Sequence, residues 1–272
     1  FGGDPEQITI AGQSAGAGSV LTQMTCPDNF GLFQRAVIMS GMIRSPYAEE
    51  GMGLPPSFEE EEKLGEKFFN YLGVKTLADA RQLDAKYIRD CYDKFMYENE
   101  IMVTSRDNNI CIGDPIRLFA QGKYAGVPVL AGNTEDEFPF MIDAQNEEEL
   151  EKKASAWFCK KAEEFLAIPQ VHEKTKDGYA PVSGMELMTK AAFLLNAKSE
   201  KPANCYYYRF APDIPGEDHL GTFHSVDLWF FFETLAKCWR PFVGRHYDLA
   251  RQMCNYWANF IKCGDPNGID DD

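Results

Sequence analysis

Apolar residues along the chain fall into two alternating rhythms. Short apolar runs, Ile8–Ala11, Ala36–Met39, Pro128–Ala131 and Cys205–Phe210, read as strands. Between them lie stretches with apolar residues three and four apart. "SFEEEEKLGEKFFNYLG" predicts a helix with Leu64, Phe68 and Leu72 on one face. Ser57 and Glu60 form a capping box at its start, and Gly73 ends it. Ser183 with Glu186 repeats the box before "LMTKAAFLLNA". Leu249, Met253, Trp257 and Phe260 mark a last long helix whose apolar face belongs to the core. Strands alternating with helices predict a mostly parallel sheet and an α/β fold. The segment between the strands near 39 and 128 reads as helical and is expected to cap an active site. "CIGDPIRLFAQGKYAG" then returns the chain to the sheet. No internal repeat and no clear linker interrupt the pattern.

Composition narrows the class. The 272 residues are 44% hydrophobic and 25% charged, which is ordinary for a globular chain. No apolar run approaches the ~20 residues that span a bilayer. The net charge of −15 argues against nucleic acid or anionic membranes as partners. Eight cysteines occur without a C-x-x-C pair, and their spacing suits neither zinc nor a small disulfide scaffold. Several sit inside apolar patterns, where a thiol packs as a small hydrophobe. A reduced, cytoplasmic protein is favoured, with secretion left open. No metal and no organic cofactor are called for, and the oligomeric state is not legible.

Candidate chemistry centres on "ITIAGQSAGAGSV", residues 8–20. A β-branched run meets Gly12-Gln13-Ser14-Ala15-Gly16, a G-x-S-x-G spacing, and a helix-like stretch follows. A strand that turns sharply into a helix needs small neighbours and lifts the corner hydroxyl clear of the sheet. Ser14 is therefore the candidate nucleophile. The Ala15 N–H, at a helix start, is a candidate donor to an oxyanion. A nucleophilic serine needs a base, and the base an orienting acid. Of His172, His219, His224 and His246, His224 is preferred because an apolar, aromatic run follows it in "EDHLGTFHSVDLWFFF". His219 belongs to the acidic loop before it. For the acid, "VPVLAGNTEDEFPFM" reads as a buried strand ending in a loop, where α/β sheets gather functional residues. Glu135, Asp136 and Glu137 all lie there, and pattern alone leaves the three open.

The opening "FGGDPEQITIAGQSAG" resembles the nucleophile segment of the type-B carboxylesterase and cholinesterase-like family. The resemblance continues through "FGLFQRAVIMSG", "YAGVPVLAGNTEDEF", "GTFHSVDLWFFF" and "YWANFIKCGDPNG". It implies an α/β-hydrolase fold with a Ser14–Glu137–His224 triad. The acid is then the glutamate five residues after Gly132, and the base opens an H-x-x-D segment with Asp227. Ser40 matches a serine that supports the acid–base pair. Gln13 stands where relatives often carry glutamate. Phe138, Phe140, Trp229 and Phe230 are expected to line an apolar acyl or alcohol pocket. The resemblance also implies an H-G-G-type loop and further strands upstream. The 272 residues are thus expected to be the C-terminal part of one catalytic domain, truncated at both ends and short of oxyanion donors on their own. The implied activity is hydrolysis of small carboxylic esters through an acyl-enzyme. A non-catalytic binding or adhesion domain, and thioester or amide cleavage by the same triad, are the alternatives.

Overall fold

Val37 and Met39 of one short strand face one side of a sheet, Ala36 and Ile38 face the other, and all four are buried. Such a strand belongs inside a parallel sheet with helices on both faces. The computed structural model describes residues 2–47, 55–99, 105–137, 142–175, 178–182 and 184–268. In chain order the elements are β1 (Thr9–Gln13), α1 (Ala15–Thr25), β2 (Arg35–Met39), α2 (Phe58–Leu72), α3 (Leu77–Ala80), α4 (Ala85–Glu98) and α5 (Pro115–Ala120). Then follow β3 (Val129–Thr134), β4 (Ile142–Ala144), α6 (Glu147–Phe158), α7 (Ala162–Leu166), β5 (Lys174–Thr175), β6 (Gly178–Val182) and α8 (Gly184–Asn196). The chain closes with β7 (Cys205–Phe210), α9 (Asp227–Phe231) and α10 (Gly244–Cys263).

The chain divides into two compact units, residues 54–114 and the remainder. In the larger unit the strand order is β1-β2-β3-β7, parallel throughout. Val20, Leu21 and Met24 of α1 and Phe119 of α5 pack on one face with Ile38, Val129 and Ala131. On the other face Val37, Met39, Leu130 and Phe210 meet Phe230 of α9 and Met253, Trp257 and Phe260 of α10. The last helix is thus core, as its spacing predicts. The register runs level across the sheet. Gln13 pairs with Met39, Met39 with Gly132, and Gly132 with Tyr208. The loops after β1, β2 and β3 therefore open at one edge, where α/β sheets build their sites. A small antiparallel sheet, β4-β6-β5, escaped the sequence reading. Leu150, Ala154 and Phe158 of α6 lie in the cluster that holds Ala144 of β4.

The smaller unit is helical. The Ser57–Glu60 capping box opens α2, and Gly73 closes it in the left-handed region at φ 73°. Phe68 and Leu72 pack on Phe95 of α4. Ser183, the second predicted cap, lies outside the described residues.

Candidate active site

Ser14 stands at the corner between β1 and α1 with φ 55° and ψ −120°, a region that side chains avoid. The surroundings enforce it. Its N–H donates to the Met39 carbonyl of β2 at 2.8 Å, and its own carbonyl accepts from the Ala17 and Gly18 N–H groups. The two motif glycines have different jobs. A Cβ at Gly12 would collide with the Gly16 backbone, whereas one at Gly16 meets nothing. Gly12→Ala is expected to cost roughly 1–3 kcal/mol through overpacking, read as a lower urea midpoint. Ala15 opens α1, so its N–H precedes the first hydrogen bond of the helix and lies at the positive end of the helix dipole.

The ends of β2 and β3 supply a second cluster. Ser40, at φ 52°, donates its N–H to the Gly132 carbonyl at 2.8 Å. Its Oγ donates to Oε1 of Glu137 at 2.5 Å. The Thr134 N–H donates to the same oxygen at 3.0 Å. Oε2 accepts from Nδ1 of His224 at 2.5 Å. Burial pushes the Glu137 carboxyl up, but the hydrogen bonds from His224, Ser40 and Thr134 outweigh it and hold it below the usual carboxylate range. A group so depressed stabilises the fold above its ordinary range, and that contribution fades as pH falls through the folded value. Ser40→Ala removes one donor from a buried carboxylate and is expected to cost about 1–3 kcal/mol at neutral pH. Urea unfolding should show the deficit shrinking below about pH 4, where the unfolded carboxyl binds its proton.

His224 turns its second nitrogen toward β1. Nε2 lies 3.2 Å from the amide nitrogen of Gln13, the residue before Ser14. With Nδ1–H given to the carboxylate, Nε2 of the neutral ring carries a lone pair, and the Gln13 amide donates to it. Ser14, Gln13, Ser40, Glu137 and His224 thus converge at the carboxyl ends of three parallel strands and the loop after the fourth.

The three acids that pattern left open separate by environment. Glu135 pairs with Arg209 at 2.9 Å on the surface. Asp136 accepts from the Thr222 N–H at 2.7 Å. Glu137 is buried against His224. The other histidines have structural or surface settings. His246 is buried, accepts from the Val243 N–H and faces the Asp213 carbonyl. His172 sits between the Leu166 carbonyl and Glu147, which favour its protonated form. His219 lies in the exposed loop at φ 50°.

Asp227 is fully buried at the start of α9, where Oδ2 accepts from the Tyr208 hydroxyl at 2.9 Å. Burial pushes its carboxyl above the usual range. Phe230, expected beside a pocket, is instead a core residue at 0% exposure. The short helix turns its ring inward onto Phe210 and Phe242. Trp229, on the same helix, stays partly exposed against Phe223 and Phe242. Phe138 and Phe140 lie outside the described residues. Among the described residues no group of three or more His, Cys, Asp or Glu is placed to hold a metal ion. No described helix is long and apolar enough to cross a membrane. Among the described residues Cys91, Cys159, Cys205, Cys238, Cys254 and Cys263 are free thiols.

The sequence matches the family model of the carboxylesterase family over residues 1–272. It is 24% identical over 290 residues to the para-nitrobenzyl esterase of Bacillus subtilis (strain 168), covering 98% of this chain and 55% of that protein. It is 28% identical over 306 residues to the bile salt-activated lipase of Bos taurus, covering 98% and 50%. A solved thermophilic PNB esterase superposes with a TM-score of 0.69 at 23% identity, over 98% of this chain and 56% of the other. The shared fold is the α/β-hydrolase fold. The chain spans about half the length of the curated relatives it matches.

Proposed function

The chain belongs to the carboxylesterase family, and on that premise we propose that it carries the catalytic residues of a serine carboxylic-ester hydrolase. The observation that carries this reading is the buried Glu137 carboxylate bonded to His224 Nδ1, beside a serine held at a strained strand-to-helix corner. Ser14 Oγ attacks the ester carbonyl carbon and gives its proton to His224 Nε2. Glu137 holds the ring in the tautomer that leaves Nε2 basic, and it stabilises the imidazolium that forms. The carbonyl oxygen becomes an oxyanion, and the Ala15 N–H donates to it. His224 then protonates the departing alkoxide, and the alcohol leaves. Water enters, gives its proton to Nε2 and attacks the acyl carbon. The bond between Oγ and the acyl carbon then breaks, His224 returns its proton to Ser14 Oγ, and the acid departs.

Gln13 bears on the first step. Its amide engages the lone pair that must take the serine proton, so the amide must give way as the proton moves. The substrate class is a small carboxylic ester, and the triad needs no metal or organic cofactor. The non-catalytic binding reading is weaker because candidates for all three triad members are present and the acid and base are already bonded.

The test is a matched series on the protein that carries this chain: an aryl ester, a thioester and an anilide of one acyl group. The expected result is turnover of the ester well above the anilide. Turnover of the anilide alone contradicts the ester reading, and turnover of none of the three supports a binding module.

A further inference from the structure

We propose that Asp136 is a positioning residue that ties the loop carrying Glu137 to the loop carrying His224, and so sets the geometry of the acid–base pair. The inference rests on the triad reading of Ser14, Glu137 and His224.

β3 and β7 are neighbours in register as far as Thr134 and Phe210. Beyond that point the two chains part. On one side Glu137 follows within three residues. On the other, residues 211–223 run as irregular loop before His224. Nothing in the secondary structure of such a loop brings His224 to hydrogen-bonding distance of Glu137. The tie is made by the residue beside the acid. The Asp136 N–H donates to the Thr222 carbonyl at 3.2 Å. The Thr222 N–H donates back to Asp136 Oδ2 at 2.7 Å. The pair forms a short parallel bridge between Asp136 and Phe223, one residue from each triad member.

The loop is moulded around this carboxylate. Gly221 has φ +64°, and a Cβ there would collide with the Asp136 carboxyl. Thr222 is buried, and its hydroxyl donates to the Pro212 carbonyl at 2.9 Å, which folds the loop back on its own start. Farther along, Arg240 bonds Asp218 and the Pro215 carbonyl. The loop is therefore braced at its outer end by Arg240 and at its catalytic end by Asp136. Asp136 itself is exposed. Its removal leaves the core untouched, and the consequence should appear in catalysis before it appears in stability.

The test compares Asp136→Ala, Asp136→Asn and Gly221→Ala with the parent protein, each assayed well below its own unfolding midpoint. The asparagine keeps an oxygen that accepts from the Thr222 N–H, so it separates the hydrogen bond from the charge. Displacing a catalytic pair by a fraction of an ångström costs rate and spares binding. Asp136→Ala and Gly221→Ala are expected to lower kcat about 10- to 100-fold with KM nearly unchanged. Asp136→Asn is expected to keep most of the parental kcat. The downfield proton resonance of His224 Nδ1–H reads the pair independently of turnover. It should shift and broaden in Asp136→Ala and Gly221→Ala and persist in Asp136→Asn. Parental kcat and an unmoved resonance in Asp136→Ala overturn the proposal. So does an equal loss in Asp136→Asn. If the parent shows no Ser14-dependent turnover, the triad reading fails, while the resonance still decides whether Asp136 sets the His224–Glu137 geometry.

Discussion

Replacing Ser14 by alanine is expected to lower kcat for ester hydrolysis by roughly 10⁴- to 10⁶-fold, to within background of the uncatalysed reaction. The hydroxyl is the atom that forms the covalent bond, and no neighbour at the β1–α1 corner replaces it. Stability should change little, because alanine meets the same strained φ of 55° as serine. Ser14→Gly separates the hydroxyl from the backbone strain. Glycine tolerates that backbone, so this variant should be as inactive as the alanine and yet more stable, by about 1 kcal/mol. Opposite signs in activity and stability would show that the strain is held for the sake of the hydroxyl. Progress curves with p-nitrophenyl acetate and urea midpoints measure both. Substantial Ser14-independent turnover in a pure sample refutes the assignment.

The second large effect separates two histidines five residues apart. His224→Ala is expected to lower kcat by about 10⁴-fold or more, because proton transfer into and out of the intermediate is lost. It also leaves Glu137 Oε2 without its Nδ1 donor, so some loss of stability should accompany it. His219→Ala removes an exposed loop side chain and is expected to stay within about ten-fold of the parent. Steady-state kinetics on the two variants decide between them. The reverse order of losses would move the base to His219 and leave the His224–Glu137 bond without a catalytic role.

What was legible in the sequence was local. The capping box and terminal glycine of α2 are side-chain-to-backbone contacts within a few residues, so its bounds agree with expectation. The serine corner is likewise written in one pentapeptide, because the steric demand at Gly12 comes from Gly16. Strand ends were less legible. β3 runs on through Gly132, Asn133 and Thr134, which look like a turn but pair with Tyr208, Arg209 and Phe210. The short strands of the second sheet carry too few residues to show a period. Function at the acid was the least legible. Glu135, Asp136 and Glu137 share one loop, and their roles diverge only because Arg209, Thr222 and His224 arrive from elsewhere in the chain. The resemblance implies Glu137, and of the three it is the one that is buried and bonded by His224, Ser40 and Thr134. Asp136 is one of three open candidates by pattern, since nothing nearby in sequence reveals a carboxylate reaching the Thr222 backbone. Phe230 and Trp229 show the same limit, because which ring of an aromatic run faces the core depends on how α9 lies against β7 and α10.

Ser14, on this reading, is a nucleophile activated by His224 and Glu137. The most direct test is to treat the protein that carries this chain with a fluorophosphonate, digest it and locate the adduct by mass spectrometry. One phosphonylated peptide is expected, the one containing Ser14, with labelling that tracks loss of esterase activity and collapses in His224→Ala. An adduct on another serine, or full inhibition with Ser14 unmodified, would contradict it.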